Sequence, residues 1–311
     1  MQLKITHRTQ YHYDLPLHYA LQRLRLQPLV TPAQKVLDWS IDIEGASRQA
    51  EFTDQFGNTT LLVSALPMTT DIAFCASGHV QTRDTNGVIG PHTGFAPLWL
   101  YRRDTALTRP GKLLREMARK TTSAGSNELE RLHALMDMVL DAVSYRAGTT
   151  EATTPAEEAL EKGSGVCQDH AHVFLTVARL NGFACRYVSG YLMHTADEDA
   201  APGRQSDRDD DKAAGQSQAQ HQGNGASQDQ KQSSADNGSH AATHAWAEAH
   251  VNGLGWVGFD PANRICPDER YVRLATGLDY ADAAPVSGIR LSETHLGISS
   301  ENLAVSVTVE Q

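Results

Sequence analysis

The stretch that decides the fold is GSGVCQDHAH, which occupies residues 163–172. Its cysteine, Cys167, follows two glycines and precedes four apolar positions that recur at helical spacing: Ala171, Phe174, Leu175 and Ala178. We therefore expect Cys167 at the first turn of a helix that ends at 181–182, an Asn-Gly pair. A helix N-terminus carries partial positive charge and unpaired N–H groups, and both favour the thiolate over the thiol.

A β-hairpin is predicted downstream, between residues 243 and 260. Strand signals run over 243–251, a turn occupies 252–255, and the returning strand leads to Asp260. His244 begins the first strand, so we expect both residues at the end of the hairpin that lies away from the turn. An antiparallel pair brings such residues within hydrogen-bond reach. Asp260 would then fix the tautomer of His244 and leave the other ring nitrogen for a nucleophile.

Cys167, His244 and Asp260 together are the parts of a thiol acyl-transfer site. The expected first step is attack on an amide or thioester carbonyl, which gives an acyl-thioester. Backbone N–H groups at the helix start, including that of Cys167, are natural donors to the oxyanion. Each residue alone is more often structural, and only the joint pattern favours catalysis. Tyr145, upstream, is a further candidate for oxyanion stabilisation.

Composition narrows the function classes. The chain has 311 residues and a formal net charge of −10, which argues against a nucleic-acid partner. The N-terminus alternates like a strand and does not resemble a signal peptide, and no run of 18 apolar residues predicts a membrane span. We expect neither a cofactor nor a metal. The cysteines are scattered along the chain, so we expect no zinc knuckle. Their small number suggests reduced thiols in the cytoplasm. They are Cys75, Cys167, Cys185 and Cys266.

The pattern predicts an α+β protein with three parts. Residues 1–90 alternate like strands and form a β-rich N-terminal domain, and a Gly- and Pro-rich stretch follows at 86–97. Residues 98–275 form the catalytic core, and 276–311 a C-terminal β extension. Within the core, 195–242 are rich in Asp, Gln, Ser and Gly, and we expect a disordered insertion there. Most of the spacing between the cysteine and the histidine is this insertion.

Helix boundaries in the core carry their own signals. Ser126 is expected to cap a helix whose apolar positions recur at Leu129, Leu132, Leu135, Met136, Val139 and Val143. Residues 154–157 are typical of a capping box, with Pro155 at the first helical position, and Gly163 is expected to stop that helix. Residues 183–192 indicate a strand.

Four motifs resemble those of the bacterial transglutaminase-like superfamily: GVCQDHAH at 165–172, SGY at 189–191, THAW at 243–246 and GWVGFDP at 255–261. Members of that superfamily are often described as cysteine proteases. The resemblance implies a papain-like core, in which helices pack on an antiparallel sheet and the catalytic residues fall on Cys167, His244 and Asp260. The region before residue 90 resembles the N-terminal domain of one bacterial branch.

The leading hypothesis is an enzyme that forms an acyl-thioester at Cys167 from a peptide or isopeptide amide of a peptide or protein substrate, and then hydrolyses that thioester. The alternatives are a transglutaminase with an amine acceptor, a non-catalytic peptide-binding module and a calcium-regulated crosslinker. A metal pair of Cys167 with His170, and a site at 11–13 (Tyr-His-Tyr), are weaker possibilities.

Overall fold

The structure is a computed structural model that describes residues 1–193, 243–291 and 301–311. The fold is α+β, as the sequence predicts. The predicted insertion at 195–242 lies outside the described residues. Among the described residues, no helix is both long and apolar enough to cross a membrane.

The N-terminal part consists of strands, because its apolar residues alternate with polar ones. In the first strand, Leu3 and Ile5 are buried, while Gln2 and Lys4 beside them are exposed. The strands are β1 (Gln2–Tyr13), β2 (Tyr19–Leu24), β3 (Gln34–Glu44), β4 (Ala46–Thr53), β5 (Thr59–Ala65), β6 (Asp71–Thr82) and β7 (Val88–Gly90).

The helices surround the one that Cys167 begins. They are α1 (Lys112–Thr122), α2 (Glu128–Ala142), α3 (Ala156–Lys162), α4 (Cys167–Leu180) and the short α5 (Tyr280–Ala283), with a 3-10 turn at Leu100–Arg102. From Asp169 to Arg179 every residue of α4 is buried. The predicted apolar stripe is therefore only one side of a helix that is enclosed all round, with α1, α2 and α3 packed against it.

The core sheet lies against α4. After a short parallel pair, β8 (Ser144–Tyr145) with β9 (Ser164–Gly165), come β10 (Cys185–Leu192), β11 (Thr243–Val251), β12 (Gly255–Phe259) and β13 (Tyr271–Gly277). The antiparallel order is β13-β10-β11-β12-β7. The predicted hairpin is thus β11 with β12, and the linker-like stretch contributes β7 as an edge strand.

The C-terminal strands return to the N-terminal sheets. They are β14 (Val286–Leu291) and β15 (Glu301–Glu310). The two N-terminal sheets have the orders β15-β1-β6-β3 and β14-β2-β5-β4. Their common apolar cluster also includes Tyr191 and Val272 of the core sheet, so one packed interior joins the two parts of the chain.

Two predicted helix caps are wrong. Asn127, and not Ser126, caps α2: its side chain accepts a hydrogen bond from the Glu130 N–H at 2.9 Å. Ser126 binds the Glu130 carboxylate through its own N–H and hydroxyl. Serine and asparagine are both good cap residues, so the local sequence did not separate these neighbours.

The predicted capping box at 154–157 does not form either. Pro155 lies before α3 and not inside it, and Thr154 bonds the Glu151 N–H. Glu157 instead accepts hydrogen bonds from three backbone N–H groups at the start of α1, those of Gly111, Leu113 and Leu114. These donors are unpaired in any helix start, and a carboxylate from a neighbouring helix satisfies them here.

Candidate active site

The first turn of α4 presents Cys167 at its N-terminus. The Asp169 carboxylate accepts hydrogen bonds from the Val166 N–H at 2.8 Å and from the Thr150 hydroxyl at 2.6 Å. A Cβ added at Gly165 would lie 2.6 Å from this carboxylate, so only glycine fits there. Because helix geometry gives the Cys167 N–H no acceptor within the helix, it is free to bind an oxyanion.

His170 is committed to the backbone. One ring nitrogen lies 2.8 Å from the Val166 carbonyl oxygen, and the other lies 2.8 Å from that of Val143. Its nitrogens are therefore not directed at a metal shared with Cys167. The ring of Tyr145 stacks on His170 at a centroid distance of 6.1 Å.

The hairpin places His244 beside Asp260. Nε2 of His244 lies 2.7 Å from Oδ2 of Asp260, and both side chains are buried. Since Nε2 faces the carboxylate, Nδ1 is the nitrogen left for a nucleophile. Cys167 lies close enough to this same histidine to raise its pKa through its charge and through hydrogen bonding. The structure thus brings all three predicted site residues together, from α4, β11 and the end of β12.

The charges of the site shift the pKa values of His244 and Asp260. Burial alone would lower the pKa of His244, but the negative charges of Asp260 and then Cys167, each of which accepts a hydrogen bond from the ring, raise it to about 10. Burial would likewise raise the pKa of Asp260, yet His244 and the hydrogen bonds that the carboxylate accepts hold it below its usual value. The pair is therefore an imidazolium with a carboxylate, a form that stabilises a neighbouring thiolate.

Asp260 is held by residues that sequence reasoning missed. Oδ2 also accepts hydrogen bonds from the Tyr271 hydroxyl at 2.7 Å and from the Asn263 side-chain amide at 2.7 Å. Oδ1 accepts from the Ala262 N–H at 3.0 Å. Asn263 follows Asp260 by three residues, a spacing that could have suggested a local turn. Tyr271 lies on a different strand, and no local signal connects it to the hairpin.

Aromatic rings enclose His244. The indole of Trp246 stacks on it at a centroid distance of 6.3 Å, and Tyr271 meets it edge-on at 5.9 Å. Trp256 is in a different place: it packs against Tyr101, and the Arg186 guanidinium lies 4.1 Å from its ring centroid. Of the two tryptophans in the sequence motifs, Trp246 belongs to the site and Trp256 to a separate core cluster.

The weaker predicted site at 11–13 lies on β1, in an N-terminal sheet. Tyr11 and Tyr13 stack on each other at 6.2 Å, and His12 pairs with Asp71 at the surface. These residues pack and pair within that sheet, as strand residues usually do.

Two family models match the chain. Residues 115–261 match the transglutaminase-like superfamily, and residues 3–81 match the bacterial transglutaminase-like N-terminal region. The first range includes Cys167, His244 and Asp260. The chain therefore contains a transglutaminase-like core and a bacterial transglutaminase-like N-terminal region.

This transglutaminase-like chain has full-length relatives. An uncharacterized protein of Mycobacterium leprae (strain TN) is 25% identical over 93% of this chain and 92% of its own length. An uncharacterized protein of Mycobacterium tuberculosis (strain H37Rv) is 26% identical over 99% of this chain and 91% of its own length.

A solved structure shares the fold of this transglutaminase-like chain. The crystal structure of a "Putative Cysteine Protease" from Cytophaga hutchinsonii superimposes with a TM-score of 0.68 at 20% identity, covering 100% of this chain and 91% of that one. The antiparallel core sheet and its central helix are therefore an architecture already observed by crystallography.

The interior behind Cys167 is polar as well. Tyr187 is fully buried; burial raises the pKa of its hydroxyl well above the usual value, and the charge of nearby Cys167 adds to this. Its ring lies 5.1 Å from that of His172, whose pKa burial lowers to about 4. His172 is therefore neutral, and its Nε2 accepts a hydrogen bond from the Tyr280 N–H.

Proposed function

We propose that this protein is a thiol-dependent acyl-transfer enzyme that hydrolyses a peptide or isopeptide amide, a cysteine protease or amidase. The observation that carries the proposal is the buried His244, which is hydrogen-bonded to Asp260 and lies close enough to Cys167 for that residue to raise its pKa. Each of these three side chains alone has a structural explanation. A half-buried thiol at a helix N-terminus with a charged acid–base pair beside it is the arrangement that acyl transfer requires.

In the proposed mechanism the Cys167 thiolate attacks the substrate carbonyl carbon. The oxyanion that forms accepts a hydrogen bond from the Cys167 N–H at the helix start. His244 then gives its proton to the leaving amine as the C–N bond breaks, which leaves the acyl group on Cys167 as a thioester. A water molecule attacks the thioester while His244 takes up its proton, and the acid product leaves with the thiolate restored. Asp260 keeps the imidazole oriented and stabilises its charged form.

Water is the acceptor we favour. It is always present, and no sequence feature defines an amine site. The similar fold described as a "Putative Cysteine Protease" supports the same choice. The four cysteines are free thiols, which suits the reducing cytoplasm that we infer for the protein.

A trapping experiment tests this proposal. The protein is incubated with a library of peptide and isopeptide amides, and intact-mass spectrometry follows adducts on Cys167 and the released products, with and without an added primary amine. We expect a thioester on Cys167 and release of the free acid. Amine-linked products that dominate when the amine is present would show a transglutaminase instead.

Two variants control this experiment. Cys167→Ala should abolish both the adduct and the product. Cys266→Ala removes a half-buried thiol whose pKa burial raises to about 11, so turnover should be unchanged. Absence of any acyl adduct across the library, with a folded protein, would contradict the proposal and favour a non-catalytic binding module.

A further inference from the structure

The Asp260 carboxylate is unusually well held. Three side-chain donors converge on Oδ2, each at 2.7 Å: His244 Nε2, the Tyr271 hydroxyl and the Asn263 amide. The N–H groups of Ala262 and Asn263 bind Oδ1 at 3.0 and 3.3 Å. Rotation of the carboxylate would break several of these bonds at once, so Oδ2 is fixed toward His244.

Tyr271 contributes twice to this arrangement. Its hydroxyl binds Asp260, and the edge of its ring packs against His244 and, at 5.4 Å, against Trp246. Tyr271 thus contacts both members of the acid–base pair from outside the hairpin, as does Asn263, whose amide lies 3.4 Å from Nε2 of His244 and 3.3 Å from the Tyr271 hydroxyl. Tyr271 comes from β13, which is not adjacent to β11 or β12 in the sheet.

Strand β10 lies between β13 and β11, and a glycine in β10 permits the contact of Tyr271 with His244. Gly190 on β10 pairs with His244 on one side and with Arg273 on the other. A Cβ at Gly190 would lie 2.5 Å from the Trp246 ring and would also meet the Val272 carbonyl oxygen. Glycine there lets the Trp246 ring lie against the strand backbone, where it contacts the rings of both His244 and Tyr271.

We propose that Tyr271 is a positioning residue of the reaction, whose hydroxyl fixes the oxygen of Asp260 that orients and charges His244. This inference rests on the proposed function, since it assigns a role within the same site. The Tyr271 hydroxyl acts on His244 only through Asp260.

Loss of the Tyr271 hydroxyl should raise the pKa of Asp260. A donor to a carboxylate favours its ionised form, so loss of the Tyr271 hydroxyl makes Asp260 easier to protonate. Once Asp260 is protonated it no longer supports the imidazolium, and the thiolate at Cys167 loses its counterion. Alkylation of Cys167 should therefore fail at a higher pH in Tyr271→Phe than in the natural protein.

The chain offers a matched control. The Tyr191 hydroxyl lies 2.9 Å from Nδ1 of His7, and Tyr191 is as deeply buried as Tyr271. Tyr191→Phe also removes one buried hydroxyl, but this hydroxyl bonds to the N-terminal sheet and not to Asp260. A purely structural role for Tyr271 predicts that the two variants behave alike.

The test is the pH profile of Cys167 alkylation by iodoacetamide, with adducts mapped by mass spectrometry and folding checked by circular dichroism. For Tyr271→Phe we expect the acidic limb to move up by about one pH unit, with a rate about tenfold lower on that limb. Tyr191→Phe should follow the natural profile. Coincident profiles for Tyr271→Phe and the natural protein would overturn the inference.

A second replacement keeps the test valid if Tyr271→Phe does not fold. Tyr271→3-fluorotyrosine keeps the shape of the ring and makes the hydroxyl a stronger donor. The acidic limb should then move down, which a loss of packing does not produce; an unchanged or raised limb would contradict the inference. If the natural protein shows no preferential alkylation of Cys167, both this inference and the proposed function fail. Preferential alkylation with unshifted variants removes the inference alone.

Discussion

Two buried histidines, His7 in the N-terminal part and His244 in the core, have opposite charge states. Each has a ring nitrogen within 3 Å of an oxygen: the Tyr191 hydroxyl for His7 and the Asp260 carboxylate for His244. Burial lowers the pKa of His7 to about 4, whereas the pKa of His244 is raised to about 10. Burial is similar in the two places, so the partner decides whether the imidazole is neutral or charged.

The partner chemistry explains this contrast. The other nitrogen of His7 lies 3.1 Å from the Thr9 hydroxyl, so neutral oxygens surround this ring and nothing offsets the cost of burying a charge. His244 faces a carboxylate whose own charge is held by Tyr271 and Asn263. A neutral histidine can bridge two hydroxyls and hold strands together. A charged one can stabilise a thiolate and deliver a proton.

The largest effect on turnover should come from removing the negative charge of Asp260, because this charge makes His244 differ from His7. Asp260→Asn leaves the shape of the side chain and removes its charge, so His244 should become neutral at pH 7, as His7 is. Turnover should fall about 10⁴-fold, as when the aspartate of other triads is replaced. An NMR titration of the imidazole and steady-state kinetics would check this; a His244 pKa that stays near its natural value would contradict it.

The His244–Asp260 pair should also make the free energy of unfolding depend on pH on the alkaline side. The pKa of His244 is higher when folded than when unfolded, so its contribution is fully present below the unfolded value, about 6.5, and is lost as pH rises through about 10. We expect a decline of about 3–5 kcal/mol in the unfolding free energy over that window. Urea unfolding at several pH values measures it. The decline should be much smaller in Asp260→Asn, and an equal decline in that variant would refute the assignment.

His7 should make the free energy of unfolding depend on pH on the acidic side. Its pKa is lower when folded than when unfolded, so the unfolded chain binds more protons between about pH 4 and 6.5, and stability rises with pH across that window. His7→Phe should flatten the rise by about 3 kcal/mol. His172, whose pKa is also lowered to about 4, should keep a similar dependence in that variant. A natural protein with no loss of stability toward pH 4 would contradict the neutral state of both rings.

The smallest expected effect concerns the hydroxyl that His7 contacts. Tyr191→Phe should cost about 1 kcal/mol of unfolding free energy, the usual net value of a neutral hydrogen bond. It should leave the alkylation of Cys167 unchanged. Thermal unfolding and alkylation rates measured on one preparation would test both statements, and a slower alkylation would mean that the N-terminal part acts on the site.

The site was predictable where its signals are local. The glycines before Cys167 and the apolar spacing after it define α4, and the turn between β11 and β12 brings His244 and Asp260 together. Tyr271 was not predictable, because it reaches Asp260 from β13, which lies three positions from β12 in the sheet. Glu157 shows the same limit: its sequence fits a capping box for α3, but the α1 donors that it binds become neighbours only after the helices pack.

The most direct measurement of the central claim is competitive alkylation of the four cysteines by iodoacetamide at mildly acidic pH, mapped by mass spectrometry. Cys167 and two others are half-buried, while Cys185 is fully buried, so access alone does not single out Cys167. The thiolate–imidazolium pair predicts that Cys167 is labelled first and that His244→Ala removes this preference. Equal, slow labelling of Cys167, Cys75 and Cys266 in the natural protein would contradict the account.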